Sequence, residues 1–184
     1  MAFIYTTPSP PPDLSAYMKI SDLPPGAQFV SSNPMLCADL MTNFPAGAAY
    51  KGKCALVSDL YGASIYGVLR CGYNGRIYYW EPTTQPEFMS QVNAANMTIY
   101  PIASAPVIEV MGTVPTLTTY TATIDLTNAW PGMTKEFRGS FGSLLGAFNI
   151  SGSGIGSSIG LGSGGNRRFV CYDTGSALAM RQLT

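Results

Sequence analysis

Six of the ten acidic residues, Asp59, Glu81, Glu87, Asp125, Glu136 and Asp173, stand in strand-rich or turn-rich stretches where a facing pair could carry acid–base chemistry. Two carboxylates flanking a glycosidic bond divide into proton donor and nucleophile or base, so glycan cleavage is the reaction class to weigh. The chain has no histidine. That removes the commonest general base and every Ser-His or Cys-His nucleophile pair. Asp59 and Asp173 sit beside turn residues, where a carboxylate ordinarily accepts backbone N–H bonds, and Glu81 precedes Pro82 at a strand end. These are structural placements, and the chain is expected not to be an enzyme.

Cys37, Cys54, Cys71 and Cys171 show no C-x-x-C spacing. A zinc site without histidine would need all four thiolates gathered from distant segments, so no metal or cofactor is expected. Tyr73, Tyr78, Tyr79 and Trp80 could stack on a sugar ring, but a core or subunit-interface role suits them better. Arg167-Arg168 is the single basic doublet, of a kind that usually marks a solvated strand start or an intersubunit ion pair.

Charged residues make up 11% of the 184-residue chain, against a usual ~25%, and ten basic residues balance ten acidic ones. No field is available to steer nucleic acid. Apolar residues reach 46%, and so little charge leaves a lone monomer poorly protected from association, which points to burial between subunits. No apolar run approaches the ~20 residues of a membrane span. Residues 1–4 lack the basic start of a secretory signal, so synthesis in the cytoplasm is expected.

The elements that must position these residues begin with residues 51–80, KGKCALVSDLYGASIYGVLRCGYNGRIYYW, which read as a three-stranded meander. Asn74-Gly75 is a strong hairpin signal because a type I′ turn needs positive φ at both central positions. Centring the turn there sets Cys71 opposite Tyr78 and Leu69 opposite Trp80. A second turn at Gly62-Ala63 sets Cys54 opposite Cys71 and Leu56 opposite Leu69. Alternation then puts Cys54, Leu56, Leu69, Cys71, Tyr78 and Trp80 on one core face, with Lys53, Arg70 and Tyr79 on the other. Cys54 and Cys71 would be neighbours able to close a disulfide, although cytoplasmic synthesis favours two small buried thiols.

Residues 1–30 hold six prolines and read as an extended arm, with at most a short turn over residues 14–20. Phe3, Ile4, Tyr5 and Tyr17, around Pro10, Pro11 and Pro12, give it more apolar content than a solvated tail carries, which suits docking on a neighbouring subunit. Asn33-Pro34 before MLCADLM predicts a short helix capped by Asn33, and residues 86–96 offer a second, striped by Phe88, Met89 and Val92. Further on, Tyr120, Ala122, Ile124 and Leu126 alternate with Thr119, Thr121, Thr123 and Asp125 over a half-buried strand. In residues 151–165, Ile155, Ile159 and Leu161 share one parity and Gly152, Gly154, Gly156, Gly160 and Gly162 the other, as in strands whose glycine face lets another backbone come close; the other reading is a flexible linker. The last residues, RRFVCYDTGSALAMRQLT, repeat the plan of CGYNGRIYYWEP, a strand, a Gly-containing turn and a second strand. The fold expected is mainly β: an arm over residues 1–30, an antiparallel module with short helices over 31–100, and a second, Gly/Thr-rich antiparallel module over 101–184, in a meander or sandwich-like build.

The segment KGKCALVSD, its Gly-containing loop, and the YNG turn with its aromatic pair resemble small β modules of tailed-bacteriophage tail fibres and other virion appendages, and RRFVCYD…G is similar to terminal hairpins of the same group. The likeness covers under half the chain. It implies a virion structural protein made in the host cytoplasm, a homotrimer attached to tail, neck or capsid proteins through its N-terminal arm, with no catalytic residues to carry over. It leaves open a capsid decoration protein or head fibre, since both use trimeric β modules with extended arms. A tip binding a host surface glycan is the third and weaker alternative.

Overall fold

The computed structural model describes residues 27–62, 65–83, 89–143, 145–155 and 159–183. The arm residues Phe3, Ile4, Tyr5, Pro10, Pro11, Pro12 and Tyr17 lie outside them, as do Glu87 and Phe88. The chain is mainly β, as its composition and alternation predict, and among the described residues it has one short helix α1 (Cys37–Asn43) and a 3-10 turn (Ala48–Tyr50).

Strands β1 (Cys54–Leu60), β2 (Ile65–Tyr73) and β3 (Tyr78–Pro82) form the antiparallel meander. Its registers differ from those expected. The second hairpin pairs Tyr73 with Tyr78 and Cys71 with Trp80, because Asn74 Oδ1 accepts the amides of Arg76 and Ile77 at 3.0 and 2.9 Å and closes a four-residue loop. That two-residue slip changes partners but not faces, so Leu69, Cys71 and Trp80 still share a buried face. The first hairpin pairs Cys54 with Arg70 and Ala55 with Leu69, and its register shifts between Val57 and Leu60. A one-residue slip flips faces: Ala55 and Val57 join Leu69 and Cys71, while Cys54 and Leu56 turn to the other side. Cys54 is buried there and Leu56 half-buried. Tyr78 is half-buried, its ring stacked on Tyr73 at 4.4 Å between centroids.

Helix α1 starts at Cys37, later than Asn33-Pro34 implies. Met35 is instead bridged to Val57, and the Cys37 amide donates to Asp59 Oδ1 at 2.7 Å, so the helix is capped from β1. The second expected helix is corrected as well: Met89 and Val92 lie in strand β4 (Met89–Asn93), whose M-S-Q-V-N alternation suits a sheet edge.

The rest of the chain winds between two facing sheets. Strands β5 (Met97–Ile99), β6 (Val107–Val114), β7 (Thr119–Ile124), β8 (Thr134–Ser143), β9 (Ala147–Gly152), β10 (Ile159–Leu161), β11 (Asn166–Asp173) and β12 (Leu178–Leu183) complete it. One sheet has the order β12-β11-β8-β6-β4, the other β10-β9-β7-β5. From β4 to β9 successive strands alternate between the sheets, so three passes of the chain stack as rungs. Their ladders, β4–β6–β8 and β5–β7–β9, are parallel, where an antiparallel module was expected. Beyond these ladders β10 pairs antiparallel with β9, β11 with β8 and β12 with β11, and these strands close the stack. Membership of the sheets therefore changes between Pro82 and Met89, ahead of residue 100.

A single buried cluster joins all three sheets, with Trp80 and Leu69 from the meander, Phe137 and Phe169 from one facing sheet, and Phe148 and Ile150 from the other. The glycine face expected in residues 151–165 is met only in part: a Cβ on Gly152 would lie 3.1 Å from the Ile124 carbonyl oxygen and one on Gly154, in a turn, 2.7 Å from that of Met180, whereas Gly160 in β10 and Gly162 have no backbone within 4 Å.

Trp80 is 1% exposed and its Nε1 donates to the Phe44 carbonyl at 2.9 Å. Trp80→Ala should cost about 3 to 5 kcal/mol through the cavity it leaves. Thermal melting checks this: a midpoint within a degree or two of the parent would contradict the burial of this face.

Candidate functional site

The carboxylates singled out by sequence are each engaged in structure, apart from Glu87, which lies outside the described residues. Asp59 caps α1, Glu81 accepts from Arg70 at 3.1 Å, and Asp125 accepts the Thr127 amide, which lowers its pKa. Glu136 pairs with Arg138 at 2.7 Å and also accepts from Asn166, both of which lower its pKa. Among the described residues no three His, Cys, Asp or Glu side chains gather as metal ligands. The four cysteines are free thiols, and Cys54 and Cys71 stand on opposite faces of the meander. Burial raises the pKa of all four, Cys171 to about 11, which keeps them protonated and poorly nucleophilic.

The aromatic run does not form an open platform. Trp80 is buried, and Tyr79 lies across Gly72, where an added Cβ would fall 2.6 Å from its ring. The Tyr73 ring, 38% exposed, stacks on Tyr78 and carries Lys51 Nζ 5.1 Å above its centroid. Two shallow grooves flank α1, of about 350 and 300 Å³. Met41 and Asn128 line both, and the groove walls lack a charged pair facing across them.

Two polar constellations organise the molecule instead. At the first, the hairpin loops that the sequence likened to each other meet tip to tip. Both are four-residue loops with glycine at positive φ, +99° at Gly75 and +90° at Gly175. In each the first side chain, Asn74 or Thr174, accepts the amides two and three residues on. Asp173, at the end of β11, takes Arg76 Nε at 2.8 Å, Arg76 Nη2 at 2.7 Å and Asn74 Nδ2 at 2.7 Å. The Arg76 guanidinium, then the Gly175 amide, hold its carboxyl at about 2.

The second constellation escaped the sequence reading. Lys135 is 1% exposed on β8, and its Nζ donates to the carbonyls of Pro101 at 3.0 Å, Ala105 at 3.1 Å and Ser104. The Tyr61 ring lies beside it, 5.7 Å from Nζ to centroid. Burial pushes the Lys135 ammonium down to about 7, and the three acceptors oppose that shift, since only –NH3+ offers three donors. The signal was present in the parity of β8, which sets Lys135 in line with Phe137 and Phe141 on the inner face.

No family model, curated protein or solved structure matches this chain.

The Asp173 contact makes a signed pH prediction. Its folded pKa lies below the ordinary ~3.9, so the stabilisation is complete above about pH 4 to 5 and lost as pH falls towards 2. The melting temperature of Asp173→Asn should fall below the parent's at pH 7, and the gap should close near pH 2. A gap that is the same at pH 7 and pH 2 would contradict the ion pair.

Proposed function

We propose that the protein is a structural component of a tailed-bacteriophage particle, a trimeric tail-fibre or tail-associated protein attached through its N-terminal arm. The observation that carries this reading is the use made of its ionisable groups. Asp59, Glu81, Asp125, Glu136 and Asp173 cap a helix, fix a turn or tie strands and hairpins together, as in a scaffold whose polar chemistry serves its own shape. The resemblance of residues 51–80 to virion β modules supplies the class of particle. The meander and the paired hairpin tips are the parts of the chain that carry that resemblance. The proline-rich residues 1–26 precede the described strands and suit attachment to a neighbouring tail, neck or capsid protein.

Deleting residues 1–28 tests the role of the arm. The truncated protein should keep its melting transition, because the core is built from later residues, and should be missing from purified particles by mass spectrometry. Incorporation at the parent's copy number would remove the arm as the anchor.

A further inference from the structure

Asn74 is the chain's only asparagine followed by glycine, and the pair can do chemistry as well as turn a hairpin. Glycine carries no side chain to keep its amide nitrogen from the carboxamide before it. When the Gly75 nitrogen attacks Asn74 Cγ, an N–Cγ bond forms and the Cγ–Nδ2 bond breaks. Nδ2 leaves as ammonia with the proton of the attacking amide. Water then opens the five-membered ring at either carbonyl, leaving aspartate or isoaspartate. The sum is water taken up and ammonia released, with no other reagent.

The loop meets the demands of the first step. Asn74 and Gly75 are exposed, a Cβ on Gly75 would meet nothing within 4 Å, and among the described residues no acceptor holds the Gly75 amide. Negative charge collects on Oδ1 as the ring closes, and Oδ1 already accepts the amides of Arg76 and Ile77 at 3.0 and 2.9 Å. Donors fixed on an oxygen that gains charge favour such a step. The other end of the carboxamide is restrained. Nδ2 donates to Asp173 Oδ2 at 2.7 Å, and the Arg76 guanidinium holds that carboxylate with contacts of 2.8 and 2.7 Å. An ionised Asp173 accepts from Nδ2 and has no proton to give a departing amine. A carboxamide pinned at both ends is also not free to turn its face to the attacking nitrogen.

We propose that Asn74 is a modification site, converting without an enzyme to aspartate or isoaspartate, and that Asp173 governs when it does so: joined hairpin tips preserve the amide, and separated tips let it convert. The product cannot remake the contact. Where Nδ2 gave Asp173 a hydrogen bond, a second carboxylate now stands, an acceptor facing an acceptor of like charge. Asn74 and Arg76 belong to the meander, and Asp173 to the hairpin of β11 and β12. Conversion therefore makes a transient parting of these two parts one-way. This holds for the chain alone and does not rest on the virion role.

Peptide mass spectrometry of the full chain, held for days at neutral pH, tests it through the amide-to-acid mass gain at residue 74. The parent should retain its amide, and Asp173→Ala should convert roughly tenfold faster or more, the weight of one hydrogen bond to a charged group. Melting curves check that both are folded at the temperature of incubation. If Asp173→Ala is not, Arg76→Met, which loosens Asp173 but leaves it in place, should convert faster than the parent while folded. Equal rates in the parent and the folded variant overturn the gate, as does a parent that converts as fast as the same chain unfolded in urea. Asn74→Asp supplies the product. It should melt below the parent at neutral pH, and a melting temperature equal to the parent's overturns the one-way release.

Discussion

The ammonium of Lys135 holds the point where the meander meets the wound sheets. Its three acceptors, the carbonyls of Pro101, Ser104 and Ala105, lie on the turn between β5 and β6. The same turn receives the Tyr61 amide through the Ile102 carbonyl at 2.7 Å, and a Cβ on Gly62 would lie 2.7 Å from the Ala103 oxygen. A turn that crowds several carbonyls in a dry interior needs a donor with several hydrogens, and lysine on an inward strand position supplies it. The meander therefore docks on a turn whose shape is set from β8. Asp173 and Arg76 tie the same two parts together at the hairpin tips, with shorter reach and more water around them.

Winding the chain between two sheets stacks inner residues in rows. Ile108 pairs with Phe137, and Val110 with Gly139, so each rung covers the apolar side of the next and the ends of the stack have to be closed. At one end β10, β11 and β12 pair antiparallel with their neighbours, and the Ser153 carbonyl accepts the Met180 amide at 2.8 Å, covering part of the outermost strand β12. This closure depends on Gly154, whose φ of +83° and close approach to Met180 exclude a side chain. The glycines of residues 139–165 are thus packing elements as much as turn formers.

Much of this was legible in the sequence, and what was not has identifiable physical causes. Alternation found β7 and the buried faces of β2 and β3, because a two-residue period survives a shift of two positions in register. It failed at Cys54 and Leu56, because the irregularity between Val57 and Leu60 moves β1 by one residue and nothing local announces it. Parallel pairing was missed because a strand's own pattern does not reveal its partner's direction. The carboxylates were read correctly at Asp59 and Asp173 as backbone acceptors, but their long-range partners, the Cys37 amide and Arg76, follow only from the fold. Lys135 was passed over because a lysine in a strand is ordinarily taken as solvent-facing.

The central claim is that Lys135 couples the meander to the wound sheets, and amide hydrogen exchange in Lys135→Met tests it most directly. Methionine fills the same space but leaves the carbonyls of Pro101, Ser104 and Ala105 without their donor, at a cost of about 3 kcal/mol or more. In the parent, the Tyr61 amide should exchange only with global unfolding, together with amides of β6 and β8. In Lys135→Met, the Tyr61 amide should exchange at least a hundredfold faster relative to those strands. Equal protection of Tyr61 and the central strands in the variant, or fast exchange of Tyr61 already in the parent, would contradict the coupling.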